Sequence, residues 1–365
     1  MKNTLTFEGL ITCRSNRDAI LWTDPLNRRE YHYKVDPDLV WHYGLVNGTR
    51  LQVAVEDNKI NRILSICNRK PEEFNTRRTF ASLTASSPEA RFDFGSAEFR
   101  SLRIMDMFIP VGKGTRALIV SPPRAGKTVL LEELARGFAR ISPDLRVILL
   151  LIDERPEEVT HFKQNTMATV FHRTLDQDTA AQVALVNLLI DNIQTEVECG
   201  NDIVVLVDSL TRLTRSFNRD DNRSRGRTMT GGIGVGALEI PRKLFGMARM
   251  VPGHGSCTIL ATILTGTGSR MDDIIFQEFK GTGNCEIILD RELAEERIFP
   301  AINLRESGTR KEELLIAKED YEAICVLRRK LVNSGKSSAI MALHSMMEKY
   351  TDNKMLLRTI AAEIP

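Results

Sequence analysis

Hydrophobic positions recur in two different patterns along this chain of 365 residues. Near the N-terminus, short segments alternate apolar and polar positions and are separated by turn residues. These segments are 5–13, 19–22, 30–35, 50–55 and 59–66. Alternation with a period of two is typical of half-buried strands. Five such strands predict a small β-barrel of the OB or cold-shock type.

Further along the chain the apolar runs become continuous. They read ALIV at 117–120, VILLLI at 147–152 and IVVLV at 203–207. Uninterrupted runs of this kind are typical of parallel strands that are buried on both faces. The first run is followed by apolar residues at near-helical spacing, from Val129 to Ile141. The pattern therefore predicts an α/β fold after the N-terminal barrel.

The first chemical signal lies between the strand predicted at 117–120 and the helix that follows it. Residues 121–128 read SPPRAGKT. Strand, loop, Gly-Lys-Thr and helix form a triphosphate site, because N–H groups at a helix N-terminus bind phosphate. Lys127 is predicted to reach the β- and γ-phosphates, and Thr128 to ligate Mg²⁺. Ser121 replaces the usual first glycine, and ordinary helix capping by Gly-Lys-Thr is the alternative.

Carboxylates end the next two buried strands. Glu154 follows the run at 147–152 and is predicted to orient and deprotonate the water that attacks the γ-phosphate. Asp208 follows the run at 203–207 and is predicted to be the second Mg²⁺ partner. The alternatives are a solvated loop with helix capping for the first and an ordinary turn for the second. Their order after the phosphate loop favours catalysis.

Composition narrows the class of protein. The chain contains no apolar run of 18 residues, which predicts no membrane span, and its start lacks the apolar segment of a signal peptide. Six scattered cysteines without a C-x-x-C pair predict a reduced, cytoplasmic protein, and the six histidines show no metal-ligand spacing. Because the net charge is only +2, any contact with nucleic acid depends on local basic patches.

One basic patch follows Asp208. Six arginines lie between residues 212 and 227, and a Gly-rich segment continues to residue 236. A basic, Gly-rich loop suits contact with a phosphodiester backbone. The alternative is a solvated loop with structural ion pairs, which is the common outcome for a run of charges.

Longer strings identify the family that the chain resembles. LIDERPEEVT at 151–160, DSLTRL at 208–213, TGG at 230–232, EFKGTGN at 278–284 and SGTRKEELL at 307–315 are similar to the Rho family of bacterial transcription termination factors. The resemblance runs from about Met105 to the C-terminus, and more faintly back to the N-terminus. It implies a RecA-like P-loop ATPase core, ATP and Mg²⁺ as cofactors, a homohexamer, and single-stranded RNA and the RNA polymerase elongation complex as partners.

The resemblance also implies roles for single residues. Arg310 would reach the γ-phosphate of a neighbouring subunit as an arginine finger, and an ion pair with Glu312 or Glu313 is the alternative. Phe299 would pack on adenine. The other implied nucleotide-site residues are Gly112, Lys113, Gly114, Thr115, Arg116, Ala117, Arg124, Ala125, Gly126, Val129, Arg155 and Arg212. The implied RNA-contacting residues are Arg227, Thr228, Gly231, Gly232, Gly268, Ser269 and Arg270.

The chain departs from the family pattern in its second half. Arg227 and Arg270 stand where lysine is usual, which keeps the positive charge but changes its geometry. Glu296 stands where the family has a basic residue, and this weakens an expected subunit or nucleotide contact.

The barrel departs further. The chain is expected to be a short form without the helical segment that precedes the barrel in the family, and its second strand lacks the aromatic GFGF string. Trp22, Tyr31 and Tyr33 are the candidates for base stacking, and the alternative is that they belong to the core.

Together these observations predict three segments. A degenerate OB/cold-shock-like RNA-binding barrel occupies 1–70, a linker 71–100, and a RecA-like ATPase domain with pore loops and C-terminal helices 101–365. The favoured function is an RNA-dependent ATPase that translocates 5′–3′ as a hexameric ring and releases transcripts from RNA polymerase. The alternatives are a regulatory Rho paralogue and a related ring ATPase that uses no RNA.

Overall fold

The computed structural model describes residues 5–15, 18–23, 32–173, 179–225, 232–234 and 236–362. The chain divides into two compact units. The first contains Met1–Ala85, Gln177–Ile203 and Val251–Ser256, and the second contains Ser86–Asp176, Val204–Met250 and Cys257–Pro365. Within the described ranges, every helix is too short or too polar to cross a membrane.

The strands and helices are numbered in chain order. The strands are β1 (Leu5–Ser15), β2 (Asp18–Trp22), β3 (His32–Val35), β4 (Arg50–Glu56), β5 (Lys59–Ile66), β6 (Arg116–Ser121), β7 (Arg146–Ile152), β8 (Thr169–Arg173), β9 (Asp202–Asp208), β10 (Arg249–Met250), β11 (Ser256–Leu264), β12 (Cys285–Ile288) and β13 (Gly308–Thr309). The α-helices are α1 (Pro37–His42), α2 (Arg100–Phe108), α3 (Lys127–Ile141), α4 (Pro156–Asn165), α5 (Thr179–Glu198), α6 (Leu210–Arg225), α7 (Glu239–Phe245), α8 (Arg270–Lys280), α9 (Arg291–Glu295), α10 (Lys318–Asn333), α11 (Lys336–Lys349) and α12 (Asn353–Ala362).

An antiparallel sheet forms the first unit, with the strand order β3-β2-β1-β4-β5. Each of the five predicted strands is present, so the predicted small β-structure is confirmed. Alternation places Ala19 and Leu21 of β2 in the core, while their neighbours are half-buried. The helix α1 was not predicted; it begins at a cap in which Asp36 accepts a hydrogen bond from the Asp38 amide at 2.8 Å.

Helix α5 belongs to the first unit although it lies between two strands of the second sheet in sequence. Gly48, which precedes β4, lies in close contact with the backbone of α5. A Cβ at this position would lie 2.4 Å from the backbone nitrogen of Asn192, and its φ of +78° also favours glycine. The Asn192 amide donates to the Gly48 carbonyl at 2.8 Å. Helix and sheet therefore share one core, which includes Cys67 and Cys199.

A buried ion pair joins the same two elements. Arg50 Nε lies 2.6 Å from Glu196 Oε1, and both side chains are buried. The second carboxylate oxygen accepts from Asn201 Nδ2 at 2.6 Å, and Arg50 Nη1 contacts Glu8 at 3.1 Å. Burial alone would lower the pKa of Arg50, but the Glu196 carboxylate outweighs burial and raises this pKa above its usual value. Both charges are thus compensated inside the unit.

The second unit contains a mainly parallel sheet in the order β13-β12-β6-β11-β9-β7-β8. Strands β6 and β11, β6 and β12, and β7 and β8 pair in parallel, whereas β13 is antiparallel to β12. The predicted α/β fold is therefore confirmed.

Arg103 connects α2 to the C-terminal helices. It donates hydrogen bonds to Asn353 Oδ1 at 3.1 Å and to the Met347 carbonyl at 3.2 Å.

The boundary between the units lies between Ala85 and Ser86, inside the segment for which a linker is predicted. Phe74 and Phe80 are buried in the first unit, and Phe92 and Phe94 in the second. This segment therefore contributes to both cores. All six cysteines are free, as predicted for a reduced protein.

We expect Arg50→Met to lower the free energy of unfolding of the first unit by about 3–5 kcal/mol, because it leaves the Glu196 charge buried and uncompensated. The double variant Arg50→Met/Glu196→Met should recover most of this loss. Both tryptophans of the chain, Trp22 and Trp41, lie in the first unit, so their fluorescence during urea unfolding reports on it specifically. A double variant as unstable as Arg50→Met alone would contradict the assignment.

Candidate active site

The phosphate loop has the geometry that the sequence predicts, a strand and a helix joined by a tight turn. Strand β6 ends at Ser121 and α3 begins at Lys127. Gly126 adopts φ +89° at the helix N-cap, where its carbonyl accepts from the Leu130 amide at 3.1 Å. The Ser121 hydroxyl, in place of the usual glycine, donates to the Pro122 carbonyl at 3.0 Å. No side chain caps the start of α3 within the described residues, so its first backbone N–H groups are available to bind an anion.

Lys127 joins Glu154, predicted to activate the water, and Asp208, predicted as the Mg²⁺ partner. Its Nζ lies 2.6 Å from Asp208 Oδ1 and 3.4 Å from Glu154 Oε1. Both carboxylates are buried, at the carboxyl ends of β9 and β7. Ligands bind in this crevice in open α/β sheets, so three predicted residues meet in one site.

Helix α6 fixes the position of the loop that carries Glu154. Arg212 Nη1 lies 2.5 Å from Glu154 Oε1 and donates to the Asp153 carbonyl at 2.7 Å. Two turns further along α6, Arg219 Nη2 contacts Asp153 Oδ2 at 2.7 Å. Asp153 has φ +54°, a conformation that costs energy for a non-glycine residue and is held here by these contacts. The role of Asp153 and Arg219 was not predicted.

The environment of Glu154 raises the pKa of its carboxyl group above the usual value. Burial is the largest cause that raises the pKa of this carboxyl, followed by the neighbouring Asp208 carboxylate. Lys127 and Arg212 oppose the shift, since each cation stabilises the carboxylate. A carboxylate with a raised pKa is a stronger base and is therefore better suited to accept a proton from water.

Asp208 has one oxygen that fits a metal ion. Its Oδ1 accepts from Thr262 Oγ1 at 2.8 Å as well as from Lys127. Its Oδ2 is buried and has no hydrogen-bond partner in the part of the chain that the structure describes. That part also contains no group of three or more His, Cys, Asp or Glu that could hold a metal. Mg²⁺ usually takes one or two protein ligands and completes its shell with phosphates and water, so Asp208 and Thr128 fit it.

A cavity of about 650 Å³ extends from the phosphate loop. Phe299 lines this cavity and is 43% exposed. Its nearest ring carbon is 3.5 Å from the point that a Cβ on Gly126 would occupy. Predicted residues that line the cavity are Arg124, Ala125, Gly126, Lys127, Thr128, Val129 and Phe299. A planar base could therefore lie on Phe299 while its phosphates reach α3.

The predicted residues 112–117 do not line this cavity. They lie at the opposite end of β6, about 16 Å from the phosphate loop by the rise of a strand. Asn284 connects them to Arg310: its Oδ1 accepts from the Arg116 amide at 2.8 Å, and its carbonyl accepts from the Arg310 amide at 2.8 Å. Burial lowers the pKa of Arg116, and the nearby Arg249 and Arg310 lower it further. This turn and Arg310 thus share one basic surface.

The side chain of Arg310 is exposed. Within the described ranges it forms no hydrogen bond or ion pair, and Glu312 contacts Arg328 instead, at 3.8 Å. The predicted alternative, an ion pair between Arg310 and Glu312 or Glu313, is not found. Arg155 is also exposed, at the start of α4, and lines a second cavity with Arg212.

The loop before α8 connects to α6 through a buried carboxylate. Asp272 Oδ1 accepts from Arg215 Nε at 2.8 Å, and its Oδ2 accepts from Thr267 Oγ1 at 2.6 Å. The predicted RNA contacts Gly268 and Ser269 lie in this loop, and Arg270 is the first residue of α8. The role of Asp272 was not predicted. An acidic residue in the first turn of a helix that follows a basic segment could have indicated such an ion pair.

Of the other predicted RNA contacts, Gly232 accepts from Asn218 Nδ2 at 3.0 Å. Arg227, Thr228 and Gly231 lie outside the described residues. Glu296, the departure from the family pattern, accepts a hydrogen bond from the Ser337 hydroxyl.

The aromatic residues of the barrel have different surroundings. Tyr33 is buried and its ring centroid lies 5.3 Å from that of Phe7. Trp22 is half-buried and donates from Nε1 to Thr12 Oγ1 at 2.7 Å. Tyr31 lies outside the described residues. Tyr33 is therefore a core residue, whereas Trp22 is partly accessible.

Comparison with known proteins agrees with this geometry. The nucleotide-binding domain of the ATP synthase alpha/beta family matches residues 101–309. The chain is 44% identical over 373 residues to the transcription termination factor Rho of Streptobacillus moniliformis, covering 98% of this chain and 88% of that protein. It is 43% identical over 303 residues to the Thermotoga maritima Rho, covering 83% and 71%.

Solved structures share the fold at low identity. An ATPase of a bacterial type III secretion system superposes with a TM-score of 0.62 at 20% identity, covering 76% of this chain and 87% of that chain. An ATP synthase subunit from Nanoarcheaum equitans gives a TM-score of 0.62 at 15% identity, covering 77% and 78%. These similarities confirm the predicted RecA-like core, and with the identity to curated relatives they establish that this chain is an ATP-hydrolysing enzyme that belongs to the Rho family of transcription termination factors.

Proposed function

We propose that this protein is an RNA-dependent ATPase that translocates 5′–3′ along RNA as a homohexameric ring and releases transcripts from the RNA polymerase elongation complex in the cytoplasm. One observation carries the proposal. The group formed by Lys127, Arg212 and the buried carboxylates of Glu154 and Asp208 lies beside the phosphate loop, and α6 links it to the loop before α8. In this proposal α6 connects the residues that hydrolyse ATP with the loop that would contact RNA.

Within one subunit each residue of this group has a separate role. The amides at the start of α3 and the Lys127 ammonium bind the phosphates of ATP. Glu154 orients the attacking water and accepts its proton, and Arg212 holds the Glu154 carboxylate in place. Asp208 and Thr128 would hold Mg²⁺, which neutralises charge on the phosphates when it is bound.

A second subunit completes the site in this proposal. Arg310 is exposed and makes no intramolecular ion pair in the described part of the chain. A guanidinium with no partner in its own subunit is suited to stabilise negative charge on a neighbour's γ-phosphate. The turn at 112–117 lies beside it and would border the same neighbouring nucleotide.

RNA would act through α6. Contact between RNA and the loop at 265–270 shifts Asp272, and Arg215 transmits that shift to the helix that also carries Arg212. Because Arg212 contacts Glu154, the position of the water-activating carboxylate depends on this loop. Arg270 supplies the positive charge for a phosphodiester backbone.

To test RNA dependence, ATP turnover is measured with no RNA and with poly(C), poly(U) and poly(A). We expect turnover to rise at least about tenfold with one or more of the polymers, and Arg270→Ala to lose most of the stimulation because a phosphate contact is removed. Lys349→Ala, a change of charge at the end of α11, is the matched control. Turnover that is the same with and without every polymer would favour a related ring ATPase that uses no RNA.

Glu154→Gln should lower kcat by about two orders of magnitude or more while ATP still binds, because the amide cannot accept the proton from water. Glu157→Gln, at an exposed position on α4, should keep near-normal turnover. Turnover is measured at saturating ATP and RNA, and binding with a fluorescent ATP analogue. Equal turnover of Glu154→Gln and wild type would exclude Glu154 as the base.

The pH dependence of kcat offers a second check on Glu154. Since only the carboxylate is active, kcat falls as the pH decreases through the raised pKa of Glu154. Arg212 lowers that pKa, so Arg212→Ala should raise it and move the acidic limb of the profile to higher pH, whereas Arg212→Lys should move it less. A shift of the limb to lower pH would contradict this geometry.

If Arg310 acts on a neighbour, Arg310→Ala subunits should inhibit mixed rings more than their share of subunits. Wild-type and variant proteins are mixed in known ratios, and RNA-stimulated turnover is measured. Arg305→Ala, at another exposed arginine of the same segment, serves as the control for mixing itself. A linear decline, together with near-normal turnover of the pure Arg310→Ala protein, is the result that rules out a finger.

A further inference from the structure

Residues 289–302, the Phe299 loop, follow β12 and are closed by backbone hydrogen bonds. Leu289 and Ala301, near the two ends of the loop, line the cavity beside the phosphate loop, and so does Phe299 between them. The backbones of Leu289 and Ile302 form an antiparallel bridge, and the Asp290 amide donates to the Ala301 carbonyl at 2.7 Å. The position of the Phe299 ring therefore depends on how this loop is held.

The side chain of Asp290 holds the loop closed from outside the cavity. Its Oδ1 accepts from the Glu292 amide at 2.9 Å and so caps α9. Its Oδ2 accepts from Asn303 Nδ2 at 3.2 Å, and Lys336 Nζ lies 2.8 Å from the same oxygen. Burial would raise the pKa of the Asp290 carboxyl, but the contacts from Lys336 and the capping amides outweigh burial and lower this pKa. The fold thus stabilises the carboxylate form, which accepts all of these hydrogen bonds.

The turn just before Phe299 has a conformation that non-glycine residues rarely adopt. Arg297 has φ +61°. The Ile298 amide donates to the Leu293 carbonyl at 2.9 Å, which closes the turn on α9. A left-handed residue costs energy and persists only where its surroundings fix it. The turn therefore depends on α9, and α9 begins at the Asp290 cap.

Lys336 connects the Phe299 loop to the C-terminal helices. It is the first residue of α11, and its ammonium lies 2.8 Å from Asp290 Oδ2 and 2.8 Å from Glu292 Oε2. Most residues of 291–297 are exposed, so this part of the loop has little packing of its own to restrict its motion. The Lys336 side chain is itself 46% exposed, and such ion pairs add little to the stability of a fold. Lys336 can therefore be replaced without unfolding the protein.

We propose that Asp290 and Lys336 are positioning residues for nucleotide binding, which hold the Phe299 loop so that its ring faces the base. Asp290 fixes the shape of the loop, and Lys336 fixes its place against α11. Neither side chain lines the cavity, so any effect on the nucleotide passes through the loop. The C-terminal helices thereby influence the affinity for ATP without touching it. This inference rests on the proposed packing of adenine on Phe299.

The experiment separates binding from catalysis in the full-length protein, with RNA present. Lys336→Met should raise the KM for ATP about threefold to fivefold, as expected for the loss of one exposed ion pair. The kcat at saturating ATP should stay near the wild-type value, because the contact with the base is the same in the ground state and the transition state. Lys336→Arg keeps the charge and should restore most of the wild-type KM.

A second variant and a matched control accompany this measurement. Asp290→Asn should raise KM further, by about tenfold, because the new amide presents donors toward the donors of Lys336 and Asn303. Lys354→Met is the control and should leave KM unchanged. Lys354 is an exposed lysine of α12 whose ammonium lies 3.9 Å from the Asp93 carboxylate.

Two further measurements show whether the effect passes through Phe299. Inorganic tripolyphosphate carries phosphates but no base, so its inhibition constant should be the same for wild type and Lys336→Met. Weaker inhibition of the variant would mean general damage to the phosphate loop and would overturn the proposal. In a Phe299→Ala background, Lys336→Met should cause no further rise in KM, because the ring that it positions is gone. The same rise in both backgrounds would also overturn it.

The remaining outcomes separate this inference from the function on which it rests. If Phe299→Ala raises KM but Lys336→Met and Asp290→Asn do not, the positioning role is wrong and the proposed packing of the base stands. If Phe299→Ala leaves KM unchanged, the packing of the base on Phe299 is wrong, and the positioning role fails with it.

Discussion

The Lys127 ammonium lies between two carboxylates that have almost no access to water, and the active site depends on this arrangement. An isolated buried carboxylate is very costly, and the Lys127 ammonium offsets that cost by lying close to both Asp208 and Glu154. Arg212 supplies a second positive charge to Glu154. A triphosphate that enters the site meets charges already fixed in position.

Helix α6 extends the influence of this group beyond the nucleotide cavity. Arg212, Arg215 and Arg219 come from consecutive turns of one helix and contact Glu154, Asp272 and Asp153, respectively. Each contact ends on a buried carboxylate, so α6 is joined to three acidic side chains at successive turns. A run of arginines that suggests a nucleic-acid patch in the sequence is, for these three members, a set of ion pairs between partly exposed guanidinium groups and buried carboxylates.

Local patterns allowed much of the fold to be predicted. The five barrel strands and the buried strands β6, β7 and β9 follow from alternation or from continuous apolar runs, and the positions of Lys127, Glu154 and Asp208 follow from the strand ends. Pairings across long sequence distances were missed, because no local signal specifies them. Examples are Arg50 with Glu196, Arg215 with Asp272 and Ser101 with Glu133. The turn at 112–117 was predicted to border the nucleotide, yet it lies beside Arg310 rather than in the cavity of its own subunit.

The membership of α5 in the first unit affects how the nascent chain can fold. The ribosome releases residues 1–85 well before α5, and until residue 198 has emerged Arg50 lacks its buried carboxylate and the surface around Gly48 lacks its helix. The core that contains Cys67 also stays open, because Cys199 closes it from the far end of α5. Domains usually fold in order from the N-terminus during synthesis. Here the first unit must wait for strands of the second to be translated, so its apolar surface stays accessible to chaperones throughout that interval.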